Sequence, residues 1–231
     1  MVKIYEIGGK VRDSFIGREN KDIDYAMEIG SYEEMRDYIL INGGKIYLET
    51  PQYQTIRCKM PNLGNVDFVL CRKDGVYSDG RRPDSVEIGN IYDDLARREI
   101  TINAIARDVE TGEILDPHGG RADIERRLIR AVGNAEERFN EDPLRLLRAM
   151  RFSVTLGFDI HEDIKKLLNA YHGLRMVETV STDRIKDELN KMFRANTLRT
   201  LMTFEEFPGI SSAIFGEGGT GLWLKVTNEK R

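Results

Sequence analysis

Over the first 120 residues, apolar and polar positions alternate with a period of two in short runs: KIYEI (3–7), DIDYAMEI (22–29), KIYLE (45–49), QTIRCKM (54–60), NVDFVLC (65–71) and ITINAIARD (100–108). Tyr, Ile and Val fill the alternate places, the signal of half-buried strands. Two helices are expected between them, over about residues 12–17 and 32–42, the second stopped by Gly43 and Gly44. Past residue 120 the spacing becomes helical, in ADIERRLI, DPLRLLRAMRFSVTLG, HEDIKKLLNAYHGL, STDRIKDELNKMFRA and TLRTLMTFEEF, with Ser181 as an N-cap for the fourth. The pattern predicts an α+β chain, with a sheet-containing head over 1–119 and a helical part over 120–231. It contains no internal repeat.

Composition changes this picture little. At 231 residues and 40% hydrophobic, the chain can bury a real core. A net charge of -4 gives no overall positive field for nucleic acid, although a local basic face can still hold a backbone. Residues 121–151 carry eight arginines against six acidic residues, which makes that stretch a candidate for such a face. Cys58 and Cys71 lack metal-ligand spacing and fit a reducing compartment. The start, MVKIYEIGG, has no leader pattern, and no apolar run approaches ~18 residues, so a cytoplasmic protein without a membrane partner is expected.

The chemistry is concentrated in IGGKVRDSFIGRENKDIDYAM, residues 7–27. Residues i and i+2 of a strand face the same way, so Asp22 and Asp24 share one face while Ile23, Tyr25 and Met27 turn into a core. Paired carboxylates repel, and a divalent cation bound by them together with substrate phosphates relieves the repulsion. Solvated aspartates on an edge strand are the alternative reading. In NVDFVLC the same alternation sets Asp67 opposite Val66, Phe68 and Leu70. A neighbouring strand would then make Asp67 a third carboxylate of the patch. Gly8 and Gly9 separate a strand from a short helix, a junction that presents backbone N–H groups to an anion, and Arg12 adds a planar donor fork. A tight turn with no ligand explains the glycines equally well.

Together with DLARREITINAIARD and NEDPLRLLRAMRF, this stretch resembles the class II tRNA nucleotidyltransferase and bacterial poly(A) polymerase family. YSDGRRPDSVEIGNIYDDLARREITINAIA, DPHGG, ADIERRLIRAVGNAEERFNEDPLRLLRAMRF and VSTDRIKDEL follow in family order, over about residues 1–195. The resemblance implies a polymerase-β-like head with a small mixed sheet, followed by an all-helical neck. It implies transfer of a nucleoside monophosphate from CTP or ATP to the 3′-hydroxyl of tRNA or a tRNA-like RNA, releasing pyrophosphate. Two magnesium ions would lower the hydroxyl's pKa and neutralise the leaving group. By position, Asp22 and Asp24 match the metal-binding pair, and Asp67, from its strand alternation, is the further catalytic candidate. Gly9 and Arg12 match phosphate contacts, Arg98 in ARRE matches a contact to the incoming nucleotide, and Gly8 and Asn103 are further nucleotide-binding candidates. Asp142, Arg145, Arg148 and Arg151 match the nucleotide-recognition helix. Glu99 stands where the family usually has aspartate.

A poly(A)-adding enzyme of the same chemistry and a non-catalytic RNA-binding remnant are the competing readings. The implied mobile loop from Asp79 to Asn90 favours use of both CTP and ATP. The chain stops sooner than family members usually do, so the exact RNA and any self-association that replaces a tail stay open. Trp223 is expected to plug the helical core rather than to stack on a base.

Overall fold

A computed structural model describes residues 2–20, 22–170 and 179–215. The chain divides into two compact units, Met1–Glu141 and Asp142–Arg231.

The first unit is built on a mixed sheet. Its strands are β1 (Lys3–Ile7), β2 (Ile23–Glu28), β3 (Lys45–Thr50), β4 (Thr55–Met60) and β5 (Gly64–Leu70). After a hairpin of β6 (Arg72–Asp74) and β7 (Val86–Ile88), the sheet resumes with β8 (Ala106–Asp108) and β9 (Ile114–Leu115). The spatial order is β3-β4-β5-β2-β1-β8-β9. β2 and β5 run parallel, and the other neighbours are antiparallel. Helices α1 (Gly9–Phe15), α2 (Tyr32–Ile41), α3 (Ile91–Ala96), α4 (Gly120–Glu125) and α5 (Ala135–Glu141) complete the unit.

The alternation fixes which way each strand faces. Tyr25 and Met27 of β2 join Val66, Phe68 and Leu70 of β5 and Ile56 and Cys58 of β4, under Met35 and Ile39 of α2. Ser31 starts α2 by accepting the Glu34 N–H at 3.1 Å. Ala26, on the other face of β2, packs with Tyr5, Ile7, Cys71 and Ala106 under Ile91 and Leu95 of α3. Asp24 belongs to that second face. Cys58 and Cys71 are free, buried thiols.

Two expectations need correcting. ITINAIARD is not one strand: Thr101–Asn103 forms a 3-10 turn, and β8 begins only at Ala106. The Thr101 hydroxyl donates to buried Asp123 at 2.6 Å and the Thr101 N–H donates to the Arg130 carbonyl, which bends the chain out of the ladder. ADIERRLI is helical only to Glu125, because Arg127 takes a left-handed φ of 55° that ends the turn. Helix α3, absent from the periodicity, is nucleated by a reciprocal cap between Asn90 and Asp93.

The second unit is helical: α6 (Leu144–Leu156), α7 (Glu162–Asn169), α8 (Thr182–Ala195), α9 (Thr197–Glu206) and α10 (Pro208–Phe215). Ser181 occupies the N-cap position of α8 but makes no side-chain cap bond. The end of HEDIKKLLNAYHGL beyond residue 170, and Trp223, lie outside the described residues. The α+β class holds. Among the described residues, no helix is long and apolar enough to cross a membrane.

Candidate active site

The end of β1, the start of β2 and the middle of β5 come together at one point. Gly8 joins β1 to α1 with φ 68° and ψ -133°, a conformation that side-chain-bearing residues avoid. A Cβ there would stand 3.3 Å from Arg98 Nη1 and 3.7 Å from Asp24 Oδ2, so the glycine backbone lies directly against both groups. Gly9 is similarly close to Asn20 and Arg12. Asp24 is the register partner of Asp67 across the parallel β2–β5 pair, which sets the two side by side on one face. Asp22, Asp24 and Asp67 line a cleft of about 390 Å³ with Ile23, Tyr47, Arg57 and Asn65. Burial first, then the neighbouring charges of Asp67 and Asp22, push the Asp24 carboxyl above the usual carboxylate range, against the pull of Arg98 and Arg57.

Several arginines of this unit are anchored by neighbouring polar side chains. Arg98 donates to Asp94 at 2.9 Å and to the Asn103 carbonyl at 3.2 Å. Asp94 is fully buried and also holds Arg97, at 2.6 Å. Burial opposes its ionisation, but Arg97 and Arg98 outweigh that and hold its carboxyl below the usual range. Arg12 is buried too, with Nε 2.9 Å from Asp13 and Nη1 2.6 Å from the Asn103 side chain. Asp13 in turn accepts from Asn20, whose own oxygen accepts the Asp22 N–H at 3.0 Å. A continuous chain thus runs from Asn103 through Arg12, Asp13 and Asn20 to the first catalytic candidate. Asn103 itself is placed by the Thr101 turn, on which α4 rests. A Cβ at Gly120 would lie 2.2 Å from the Thr101 carbonyl oxygen, so only glycine permits this approach.

In the second unit, Asp142 accepts the Leu144 N–H at 3.1 Å at the start of α6, and also accepts from Arg184 of α8 at 2.6 Å. Leu146, Leu147, Met150 and Val154 are buried as their spacing predicts. Arg145, Arg148 and Arg151 keep partial exposure in a stripe along the helix. Arg151 and Arg148 both approach buried Glu188 of α8, as does Lys191 at 2.9 Å. Burial resists the charge on Glu188, yet Arg151, the hydrogen bond from Lys191 and Arg148 hold its carboxyl below the usual range.

A family profile described as the Poly A polymerase head domain matches residues 4–130, more than half of the chain. The chain belongs to this family. It is similar to the CCA-adding enzyme of Geobacillus thermodenitrificans, 35% identical over 222 residues that cover 96% of this chain and 53% of that one. Its fold resembles the crystal structure of Bacillus stearothermophilus CCA-adding enzyme in complex with CTP, with a TM-score of 0.77, 33% identity and coverage of 90% and 49% of the two chains. It also resembles a tRNA nucleotidyltransferase complexed with a primer tRNA and an incoming ATP analog, with a TM-score of 0.75, 27% identity and coverage of 92% and 60%. The chain spans about half the length of the curated relatives it matches.

Within this Poly A polymerase head, the donor set suits a hard divalent cation only in part. Among the described residues, no three acidic, histidine or cysteine side chains converge as a ready metal cage, although Asp22, Asp24 and Asp67 share the cleft. Asp67 Oδ2 is held by Arg57 Nε at 3.0 Å. Asp22 and Asp24 remain as a pair, and magnesium is commonly bound by one or two carboxylates with substrate phosphates completing the shell. The residues therefore fit a cation that arrives with a triphosphate. Asp94, Arg184 and Glu188 were legible only as parts of YDDLARRE and VSTDRIKDEL; nothing in their spacing marked them as anchors.

Proposed function

We propose that the chain transfers CMP and AMP from CTP and ATP to the 3′ end of tRNA without a template, releasing pyrophosphate. The observation that carries this reading is the cleft lined by Asp22, Asp24 and Asp67, with Asp24 lying against the Gly8 turn beside Arg98, in a member of the Poly A polymerase head family whose relatives are CCA-adding enzymes. Nucleotidyltransferases of this family generally use divalent metal ions; we assign magnesium here, held by Asp22 and Asp24. When bound, it lowers the pKa of the attacking hydroxyl and neutralises charge on the leaving group.

The protein's own groups do the rest. Arg98, fixed by Asp94, directs a guanidinium at the triphosphate, and Arg12 braces the same wall through Asn103. The glycine turn lets phosphate oxygens come close to the backbone. Base choice is assigned to Asp142 and Arg145. Cytosine and adenine both present an amino donor beside a ring-nitrogen acceptor, which a carboxylate and a guanidinium can pair. Uracil and guanine reverse that order. A carboxylate has about four acceptor sites, so the bonds from Leu144 and Arg184 leave Asp142 capacity to accept an amino group. Each bidentate match discriminates by about 1–3 kcal/mol.

Pyrophosphate release with tRNA lacking its 3′ CCA, measured for each of the four nucleoside triphosphates, tests the proposal. CTP and ATP should react, and UTP and GTP should not. Asp142→Ala should flatten the selectivity. Release from all four by the wild-type chain, or from none, would contradict the reading. Growing A-tails from ATP alone would identify a poly(A)-adding enzyme.

A further inference from the structure

The edge of the cleft farthest from Arg98 has no assigned task. Across the sheet the order is β1, β2, β5, β4, β3, so the lining residues pass from Asp24 on β2 and Asp67 on β5 to Arg57 on β4 and then Tyr47 on β3. Arg57 is the register partner of Asp67 and holds it at 3.0 Å. Its side chain is 53% exposed, and Asp67 is its sole ion-pair or hydrogen-bond partner among the described residues. Both terminal nitrogens therefore remain to donate elsewhere. Among the described residues lining the cleft, Arg57 is the one cation.

Tyr47 is placed by a defect in the ladder. Ile46 pairs with Cys58 and Leu48 with Arg57, which leaves Tyr47 as an extra residue between them. Such a bulge re-aims a side chain, and here the ring lines the cleft while remaining 57% exposed. An exposed aromatic ring beside an arginine with open donors, at the rim of a carboxylate cluster, is the combination that holds single-stranded nucleic acid: the base stacks and the backbone phosphate pairs.

Direction decides which substrate uses it. In an in-line displacement, the attacking oxygen and the leaving group lie on opposite sides of the phosphorus. On the proposed function, on which this step rests, the leaving pyrophosphate belongs with Arg98 and the Gly8 turn. The attacking 3′-oxygen then approaches from the opposite side, along β4 and β3. We propose that Tyr47 and Arg57 seat the last nucleotide of the acceptor RNA, its base stacked on the tyrosine ring and its 5′ phosphodiester held by the guanidinium. Arg57 bridges that phosphate to Asp67, so the acceptor end and the carboxylates are brought into register by one side chain.

The test uses a 5′-fluorescein RNA hairpin with a short single-stranded 3′ tail. Binding to the full chain is followed by anisotropy, alongside steady-state KM values for the RNA and for CTP. Tyr47→Ala and Arg57→Ala should each weaken RNA binding and raise the RNA KM about 10-fold, with the KM for CTP unchanged in Tyr47→Ala. Tyr47→Phe, which keeps the stacking face, should bind like wild type. Arg57→Ala should also reduce the salt dependence of binding by about one counterion. Both side chains are largely exposed, and melting curves check that the variants fold. Unchanged RNA binding in both alanine variants, a loss that falls on CTP instead, or no RNA binding by the wild-type chain would overturn the inference. Tail-dependent RNA binding that the variants lose, with no nucleotide transferred by the wild type, would sustain the subsite and defeat the proposed function.

Discussion

The second unit pairs its buried acids with cations, whereas the first unit also keeps a cluster of acids that crowd one another. In the second unit, Glu188 is shut in with Arg151, Arg148 and Lys191, and Asp142 is held by Arg184 and by the start of its own helix. The first unit has anchors of the same kind, among them Asp94 between Arg97 and Arg98, Asp13 against Arg12 and Asp123 against Arg130. Beside these, however, Asp24 is crowded by Asp67 and Asp22, and its carboxyl is pushed up rather than down. A lowered pKa marks a charge whose partners repay the cost of burial. A raised one marks a charge the fold tolerates at a loss. The difference separates acids that hold the fold together from acids kept for chemistry.

Substitutions should separate the two classes. The largest effect is on turnover: Asp22→Ala or Asp24→Ala should lower transfer at least about a thousandfold while the melting temperature stays level or rises slightly, because repulsion is relieved. A variant that melts early and still turns over would erase the distinction. Next comes Glu188→Ala, which strands the charges of Arg148 and Arg151. Unfolding in urea should show a loss of about 3 kcal/mol, the low end of the range for breaking a buried pair, since Lys191 and Arg148 reach solvent. A midpoint unchanged from wild type would show that the cluster adds nothing to stability.

Arg98→Ala sharpens the contrast within the first unit. Nucleotide binding by calorimetry should weaken by about 1.5–3 kcal/mol, the worth of a charge-assisted contact, equally for CTP and ATP. A shift in preference between the two would assign Arg98 to base reading instead. The smallest effect is one of pH. The folded-state pKa of Glu188 lies below its ordinary value of 4.5, so its contribution is complete above that value and is lost as pH falls through the folded-state pKa. The stability gap between wild type and Glu188→Gln should therefore be flat near neutrality and close in acid. A gap that instead widens below pH 4.5 would reverse the sign of the coupling.

Much of this was legible in the chain, for a physical reason. The alternation in KDIDYAM and NVDFVLC fixes which side each carboxylate takes, because Tyr25, Met27, Phe68 and Leu70 must enter one core. Once β2 and β5 pair, Asp24 and Asp67 have to be neighbours. What periodicity cannot report is which distant groups hold a side chain in place. The Arg12–Asn103 bond spans 91 residues, and Asp142–Arg184 spans 42. The 3-10 turn at Thr101 escaped for the same reason, since ITINAIARD reads as a strand until Asp123 and Arg130 pull it aside. Tyr47 looked like one more strand residue, because a bulge depends on the partner strand and leaves no mark on its own.

Sequencing RNA 3′ ends most directly tests whether the open carboxylates of the first unit perform untemplated transfer. Truncated tRNA would be incubated with all four nucleoside triphosphates and magnesium, using the wild-type chain and Asp24→Asn in parallel. Wild-type products should end in added C and A residues and contain no U or G, and the Asp24→Asn products should match the input RNA. Equal extension by both proteins, or U and G incorporated as readily as C and A, would contradict the account.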